Sequence, residues 1–265
     1  MDLRRLARGT VDWDRLEAVA MELAERYDRE AVHVAFLEAD NWLSIPLVVN
    51  DEWFVKVVTP QNSLVHALFT GARNLGAITT GTENFFEHFG TPLEMAQHDL
   101  EATRRMQEVG VSAPAPVEAF EVDGMGVLVL EFLPETRPLG DLDDEAFAAH
   151  VPGVFADLAT MHANGLAHGD LQGENVLVQG EAIFFIDATK VNEGGHDAAR
   201  SYDLACALAA FAPRIGAAEA VAAAREHYSD GDLVAARDFL DFVALRPDHD
   251  FDVQRVKGEI EAAAG

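Results

Sequence analysis

The chain has 265 residues, 49% of them apolar, and sets 46 Asp and Glu against 19 Lys and Arg for a formal charge of −27. That much apolar material can bury a core, which excludes global disorder, and the length suits one large domain or two modest lobes. The charge excludes a basic footprint for nucleic acid and a polybasic membrane patch, and no apolar run of about 18 residues exists to cross a bilayer.

Only Lys56, Lys190 and Lys257 are lysines. An acidic chain almost without lysine resembles the proteins of salt-adapted microbes, halophilic archaea above all. In molar salt the Debye length is about 3 Å, so carboxylate self-repulsion is screened. The competing expectation is an acidic face for a basic partner, but the acid runs along the whole chain rather than in one block. The single cysteine, Cys206, excludes an internal disulfide and a cysteine-based zinc site. The start, MDLRRLARGT, has no apolar signal core, and the expected location is the cytoplasm.

Residues 11–28 are predicted to form an amphipathic helix, with Trp13, Leu16, Ala20, Leu23 and Tyr27 at helical spacing. A β-rich stretch follows, broken by turn signals at Ala39-Asp40-Asn41 and Asn50-Asp51, the second leading into a strand Trp53–Val58. Residues 59–90, with scattered glycines, are expected to form a loose helix and loops. A helix is predicted from Pro92 to Val109, ending at Gly110. Next comes a hairpin turning at Asp123-Gly124. A helix is predicted over 141–164, short strands and polar loops over 165–190, and helices from about Ala198 to the end. The order is a β-rich half, then an α-rich half, joined near Glu131–Gly140.

The stretch AHGDLQGENVLVQGEAIFFIDATK carries the chemistry. His168, Asp170 and Asn175 spell H-x-D-x-x-x-x-N. Asn175 precedes a predicted strand Val176–Val178, and a second strand, Ile183–Ile186, ends in Asp187. A tight hairpin thus has an amide at its entry and an acid at its exit. Such hard oxygen ligands suit Mg²⁺, which takes few protein ligands and completes its shell with water and phosphate.

This pattern resembles the catalytic loop and metal-binding acid of protein-kinase-like phosphotransferases. Gly169 stands where those kinases carry Arg, and Asp187-Ala188-Thr189 stands for D-F-G. The H-G-D-L form is similar to RIO-type atypical kinases and their small archaeal relatives, and also to aminoglycoside and choline phosphotransferases. The resemblance implies an α+β, two-lobed protein-kinase-like fold, with a small β-rich N-lobe carrying one helix, a larger α-helical C-lobe and nucleotide in the cleft. Residues 1–28 would be a helical extension, 29–133 the N-lobe and 134–265 the C-lobe.

The implied cofactors are ATP and Mg²⁺. The implied reaction is transfer of the γ-phosphoryl group to a hydroxyl, with a RIO-type Ser/Thr kinase from a halophilic archaeon as first choice. Asp170 would accept or position the proton of the attacking hydroxyl. Asn175 and Asp187 would hold Mg²⁺, and His168 would brace the loop. Lys56, in the middle of Trp53–Val58, would grip phosphate. Its partner on the following helix would be Asp99, which falls at the glutamate position of the RIO-type pattern, or Glu101, which has the expected side chain in a different phase. Adenine would meet main chain near Glu131 and Leu133. Asp203 would open the Ala-rich helix and brace the catalytic loop, while His196 and Arg200 read as exposed loop residues.

The Gly-rich phosphate loop of kinases is not matched: Leu37–Ser44 has no glycine, leaving Ser44 or Asn41 as possible phosphate donors. The acceptor would be a protein or a small molecule. The alternatives are therefore an aminoglycoside- or choline-type phosphotransferase, or a kinase-shaped scaffold that binds nucleotide weakly. The composition predicts a chain that unfolds in dilute buffer. Its thermal midpoint is expected to climb as KCl is raised to molar levels, and a midpoint indifferent to salt would refute the salt-adapted reading.

Overall fold

The computed structural model describes residues 13–37, 44–60, 90–188, 196–246 and 248–265. The expected loops over 61–89, the turn at Ala39-Asp40-Asn41, most of the glycine-free loop, and Lys190 lie outside them. The chain divides into two compact units. Among the described residues the first comprises 13–37, 44–60, 90–104 and 114–134, and the second 105–113, 135–188, 196–246 and 248–265. The elements below are numbered over the described residues.

The first unit is built on an antiparallel sheet of β1 (Val34–Phe36), β2 (Ile45–Val49), β3 (Trp53–Val58), β4 (Pro116–Val122) and β5 (Met125–Glu131), in the order β1-β2-β3-β5-β4. The two hairpin signals read from sequence are both present. Asn50 and Asp51 have φ of 56° each, and Asp123 and Gly124 have φ of 48° and 73°, the left-handed geometry that turns adjacent strands back on themselves.

Side-chain alternation gives this sheet two apolar faces. On one, Val55, Val57, Val127 and Val129 pack with Val19 and Leu23 of α1 (Trp13–Arg26). On the other, Leu128 and Leu130 pack with Ala96 of α2 (Pro92–Glu108), flanked by Phe54 and Leu100. Helix α1 was set apart in the sequence as an extension, yet it supplies core residues to this sheet. Its expected stripe is corrected at one end: Trp13 is 69% exposed and lies beside the ring of Phe36, because the inward face centres on Val19 and Leu23.

Helix α2 starts in a capping box. Thr91 Oγ1 accepts from the Glu94 backbone N–H, and the Glu94 carboxylate accepts from the N–H groups of Gly90 and Thr91. Its first turn lies directly on β5. A Cβ at Gly126 would fall 2.0 Å from the Pro92 carbonyl oxygen, so only glycine allows this approach.

In the second unit, a two-residue strand β6 (Arg137–Pro138) joins β7 (Val176–Gln179) and β8 (Ala182–Phe185) in the order β6-β7-β8. The helices are α3 (Asp144–Ala163), α4 (His196–Ile215), α5 (Ala217–Arg225), α6 (Asp230–Arg237), α7 (Leu240–Val243) and α8 (Val253–Ala264). Helix α4 packs against α3, α5, α6, α7 and α8. Residues Tyr202 to Ala209 of α4 are therefore buried around the whole helix. The β-rich first unit and helical second unit are the α+β arrangement expected from the sequence. Among the described residues, no helix is long and apolar enough to cross a membrane.

The Gly126 contact makes a prediction. Gly126→Ala must push the first turn of α2 off the sheet and is expected to cost about 2–3 kcal/mol, measured by chemical denaturation in molar KCl. A change below about 0.5 kcal/mol, the range of a neutral surface substitution, would contradict the packing.

Candidate functional site

In the first unit, strand parity decides where Lys56 points. It pairs in register with Leu128, so it shares the sheet face covered by α2. There Lys56 Nζ donates to Asp99 Oδ2 at 2.8 Å, with side-chain exposures of 9% and 19%. Glu101, the alternative partner, is 56% exposed and pairs with Arg104. Asp replaces the longer Glu here, and the close approach of α2 to the sheet lets the shorter side chain reach. Thr103, one turn further along α2, is buried with its hydroxyl donating to the Asp99 carbonyl at 2.7 Å. Burial works against the Asp99 charge, but the Lys56 ammonium and the His98 ring outweigh it and hold the carboxyl at a pKa of about 2.

Glu131 closes β5. Its backbone N–H donates to the Ala115 carbonyl at 2.8 Å, and its exposed carboxylate accepts from the Ala115 N–H at 3.2 Å. The next N–H, of Phe132, donates to the Glu52 carbonyl. Leu133 follows in irregular, half-buried chain. Ser44 is buried at the entry to β2, and its hydroxyl makes no hydrogen bond among the described residues.

In the second unit the loop before β7 is tied down at several points. Asp203 has no exposure, and its carboxylate accepts from the N–H groups of His168 and Gly169, each at 2.6 Å. His162 Nε2 adds a third donor at 3.1 Å, and the Tyr228 hydroxyl donates to His162 Nδ1 at 2.8 Å. Gly169 has φ of 80°, which accounts for a glycine at this position: the loop passes through left-handed space to aim two successive N–H groups at one carboxylate. The brace expected of Asp203 is present. Its position is corrected: α4 begins at His196, so Asp203 lies in the body of the helix rather than opening it.

His168 is fully buried. Its Nδ1 accepts from the Asp170 N–H at 3.3 Å, so Nε2 carries the proton and donates to the Ile186 carbonyl at 2.9 Å. Asn175 Nδ2 donates to the Asp170 carbonyl at 2.8 Å, and the Ile186 N–H donates to the Asn175 carbonyl at 3.1 Å. These bonds bring Asp170, Asn175 and the chain entering Asp187 together. Asp187 itself has φ of 59°, a left-handed step that ends the strand direction there. With Nδ2 of Asn175 tied to the Asp170 carbonyl, the chemistry of the Asn175 amide oxygen and the Asp187 carboxylate fits the sparse hard-oxygen donor set of Mg²⁺. Among the described residues there is no cluster of three His, Cys, Asp or Glu that could hold a metal.

Two further outcomes depart from the sequence reading. Arg200 is not an exposed loop residue: it lies on α4, pairs with Asp232 at 2.8 Å and sits over the Tyr228 ring, while His196 starts the same helix with a buried Nε2. Arg246, which the sequence did not single out, places Nη2 at 2.6 Å from Asp170 Oδ1. It follows α7 in the tail, 76 positions from its partner, and no local motif announces it.

The RIO domain family model matches residues 90–221, which include Asp99, the catalytic-loop pattern, Asp187 and Asp203. The match spans just under half of the chain and takes in every motif residue named above from Asp99 to Asp203. No curated protein matches the sequence. Among solved structures, the chain is similar to a protein assigned as a fructosamine-3-kinase from Haemophilus somnus, at 12% identity and TM-score 0.49, covering 98% of this chain and 99% of that one. It is similar to the PknI kinase domain of Mycobacterium tuberculosis at 16% identity and TM-score 0.42, covering 87% and 94%. It is similar to the PAN3 pseudokinase of Drosophila melanogaster at 15% identity and TM-score 0.41, covering 88% and 64%. Likenesses at this level carry no information on substrate or activity.

The Lys56–Asp99 pair sets a pH dependence. A carboxyl lowered from 3.8 to about 2 adds stability that is complete above pH 4 and lost as pH falls through 2. The lost part is expected to be about 2 kcal/mol. Denaturation between pH 4 and pH 2 is expected to show a shallower stability loss in Asp99→Asn than in the wild type. Equal slopes would remove the ion pair from the account.

Proposed function

We propose that this chain is an Mg²⁺-dependent, ATP-using phosphotransferase that moves the γ-phosphoryl group to a hydroxyl, with a RIO-type Ser/Thr protein kinase as the first reading. The observation that carries it is the loop around Asp170. Asp203 takes two consecutive loop N–H groups, and Asn175 ties the Asp170 carbonyl from the other side. These bonds tie the loop on both sides of Asp170, and phosphoryl transfer is mostly positioning and charge stabilisation.

In this reading Asp170 orients the attacking hydroxyl and receives its proton. Lys56, its ammonium set by Asp99, grips the nucleotide phosphates. Mg²⁺, held by Asn175 and Asp187, would supply positive charge to those phosphates. The base is assigned to main chain over Glu131 and Leu133. Since the Glu131 N–H already serves the sheet, its carbonyl is the group of that residue left to this role. The proposed setting is the cytoplasm, with residues 29–133 and 134–265 as kinase-like lobes.

A small-molecule hydroxyl acceptor is the second reading. The short run between Asp187 and His196, where α4 already begins, is too brief for the long peptide-presenting segment of ordinary protein kinases and suits both readings alike.

The test is incubation with γ-labelled ATP and Mg²⁺ in molar KCl, with and without cell extract. Labelled protein would support the first reading, and a labelled small molecule the second. Asp170→Ala and Asp187→Ala are each expected to lower transfer by about 100-fold or more with the thermal midpoint little changed. Unchanged transfer in both variants would overturn the assignment.

A further inference from the structure

Arg246 lies outside the residues that the RIO family model matches, yet it touches the side chain on which the proposed chemistry turns. Its side chain is only 10% exposed. Nη2 bonds Asp170 Oδ1 at 2.6 Å and also Asp248, Nε donates to Asp248 Oδ1 at 3.0 Å, and Nη1 donates to the Tyr202 hydroxyl at 2.6 Å. Cys206 Sγ lies 3.9 Å from Nη1. Burial disfavours the guanidinium charge, but Asp170, Tyr202, Cys206 and Asp248 hold its pKa above the ordinary arginine value.

These contacts divide by origin. Tyr202 and Cys206 come from α4, and Asp248 comes from the same short tail segment as Arg246. The guanidinium is therefore held along two edges by groups other than Asp170. A planar fork fixed in this way presents one N–H to the carboxylate in a set direction. The backbone of Asp170 is already fixed by His168 and Asn175. The remaining freedom is rotation of the carboxylate, and Arg246 opposes it.

We infer that Arg246 is a positioning residue for Asp170: it fixes the rotamer in which the carboxylate meets the acceptor hydroxyl. The C-terminal helical segment is then part of the catalytic apparatus rather than an appended bundle. This inference rests on the phosphotransferase reading above.

The experiment measures ADP release from Mg·ATP in molar KCl, with water as the acceptor, so no natural acceptor is needed. Wild type, Asp170→Asn, Arg246→Met, Arg246→Lys and the double variant Asp170→Asn/Arg246→Met are compared, each checked for folding by circular dichroism. Arg246→Met is expected to lower kcat by about 30-fold with KM for Mg·ATP within about twofold, because orientation and not nucleotide binding is lost. Arg246→Lys, which keeps a charge but not the fork, is expected to recover only part of that loss, to about tenfold below wild type, and it serves as the decisive variant if the methionine variant does not fold. In the double variant the Arg246 change is expected to cost less than about threefold beyond Asp170→Asn, since both act through one carboxylate. The inference alone is overturned if Asp170→Asn loses turnover while Arg246→Met stays within about threefold of wild type or gains activity, or if the two losses multiply. It is likewise overturned if the lysine variant is as impaired as Asp170→Asn. A wild-type chain that releases no ADP, or an Asp170→Asn variant that releases it at the wild-type rate, overturns the phosphotransferase reading and this inference with it.

Discussion

A carboxylate without solvent must find donors, and Asp203 finds three. It sits in the body of α4 between buried Tyr202 and Leu204, where an unpaired charge would cost several kcal/mol. Two of its donors are the successive N–H groups of His168 and Gly169, and the third is the ring of His162 from α3. The consequence is mutual. The loop cannot leave without stranding the aspartate, and α4 cannot rotate without stranding the loop. Tyr228 extends the same chain of bonds through His162 to the turn before α6. The placement of Asp170, Asn175 and Asp187 inherits this fixity.

The first unit solves a similar problem by different means. A lysine in mid-strand is buried, so it too requires a partner. Register puts it on the face under α2, and the capping box at Thr91 with the glycine at position 126 brings that helix close enough for an aspartate to serve. The ion pair is thus a product of helix placement. Its net worth comes less from Coulomb attraction than from avoiding two buried, unpaired charges.

Set against a chain charge of −27, the basic groups used inward are few. Lys56 meets Asp99, and Arg246 meets Asp170 and Asp248. Other arginines bridge acids at the surface, where each pair contributes little. The acidity belongs to the solvated exterior, and the site is arranged locally against it.

Sequence by itself determined what depends on neighbours in the chain. A β-rich stretch, Asn-Asp and Asp-Gly turns and the cap at Gly110 placed the strands and α2, because these signals are backbone conformations that particular residues prefer. The spacing of His168, Asp170, Asn175 and Asp187 was legible because one loop and one hairpin hold all four. Strand β6 escaped notice, since two residues including a proline become a strand only when β7 is present to pair with them. The partner of Lys56 stayed open between Asp99 and Glu101 until helix phase and sheet parity met in three dimensions. Arg246 was invisible: a guanidinium in a tail has no motif, and its partner is 76 residues away. Tertiary structure decided these contacts because each joins elements whose approach is set by packing of the whole unit, not by any local preference.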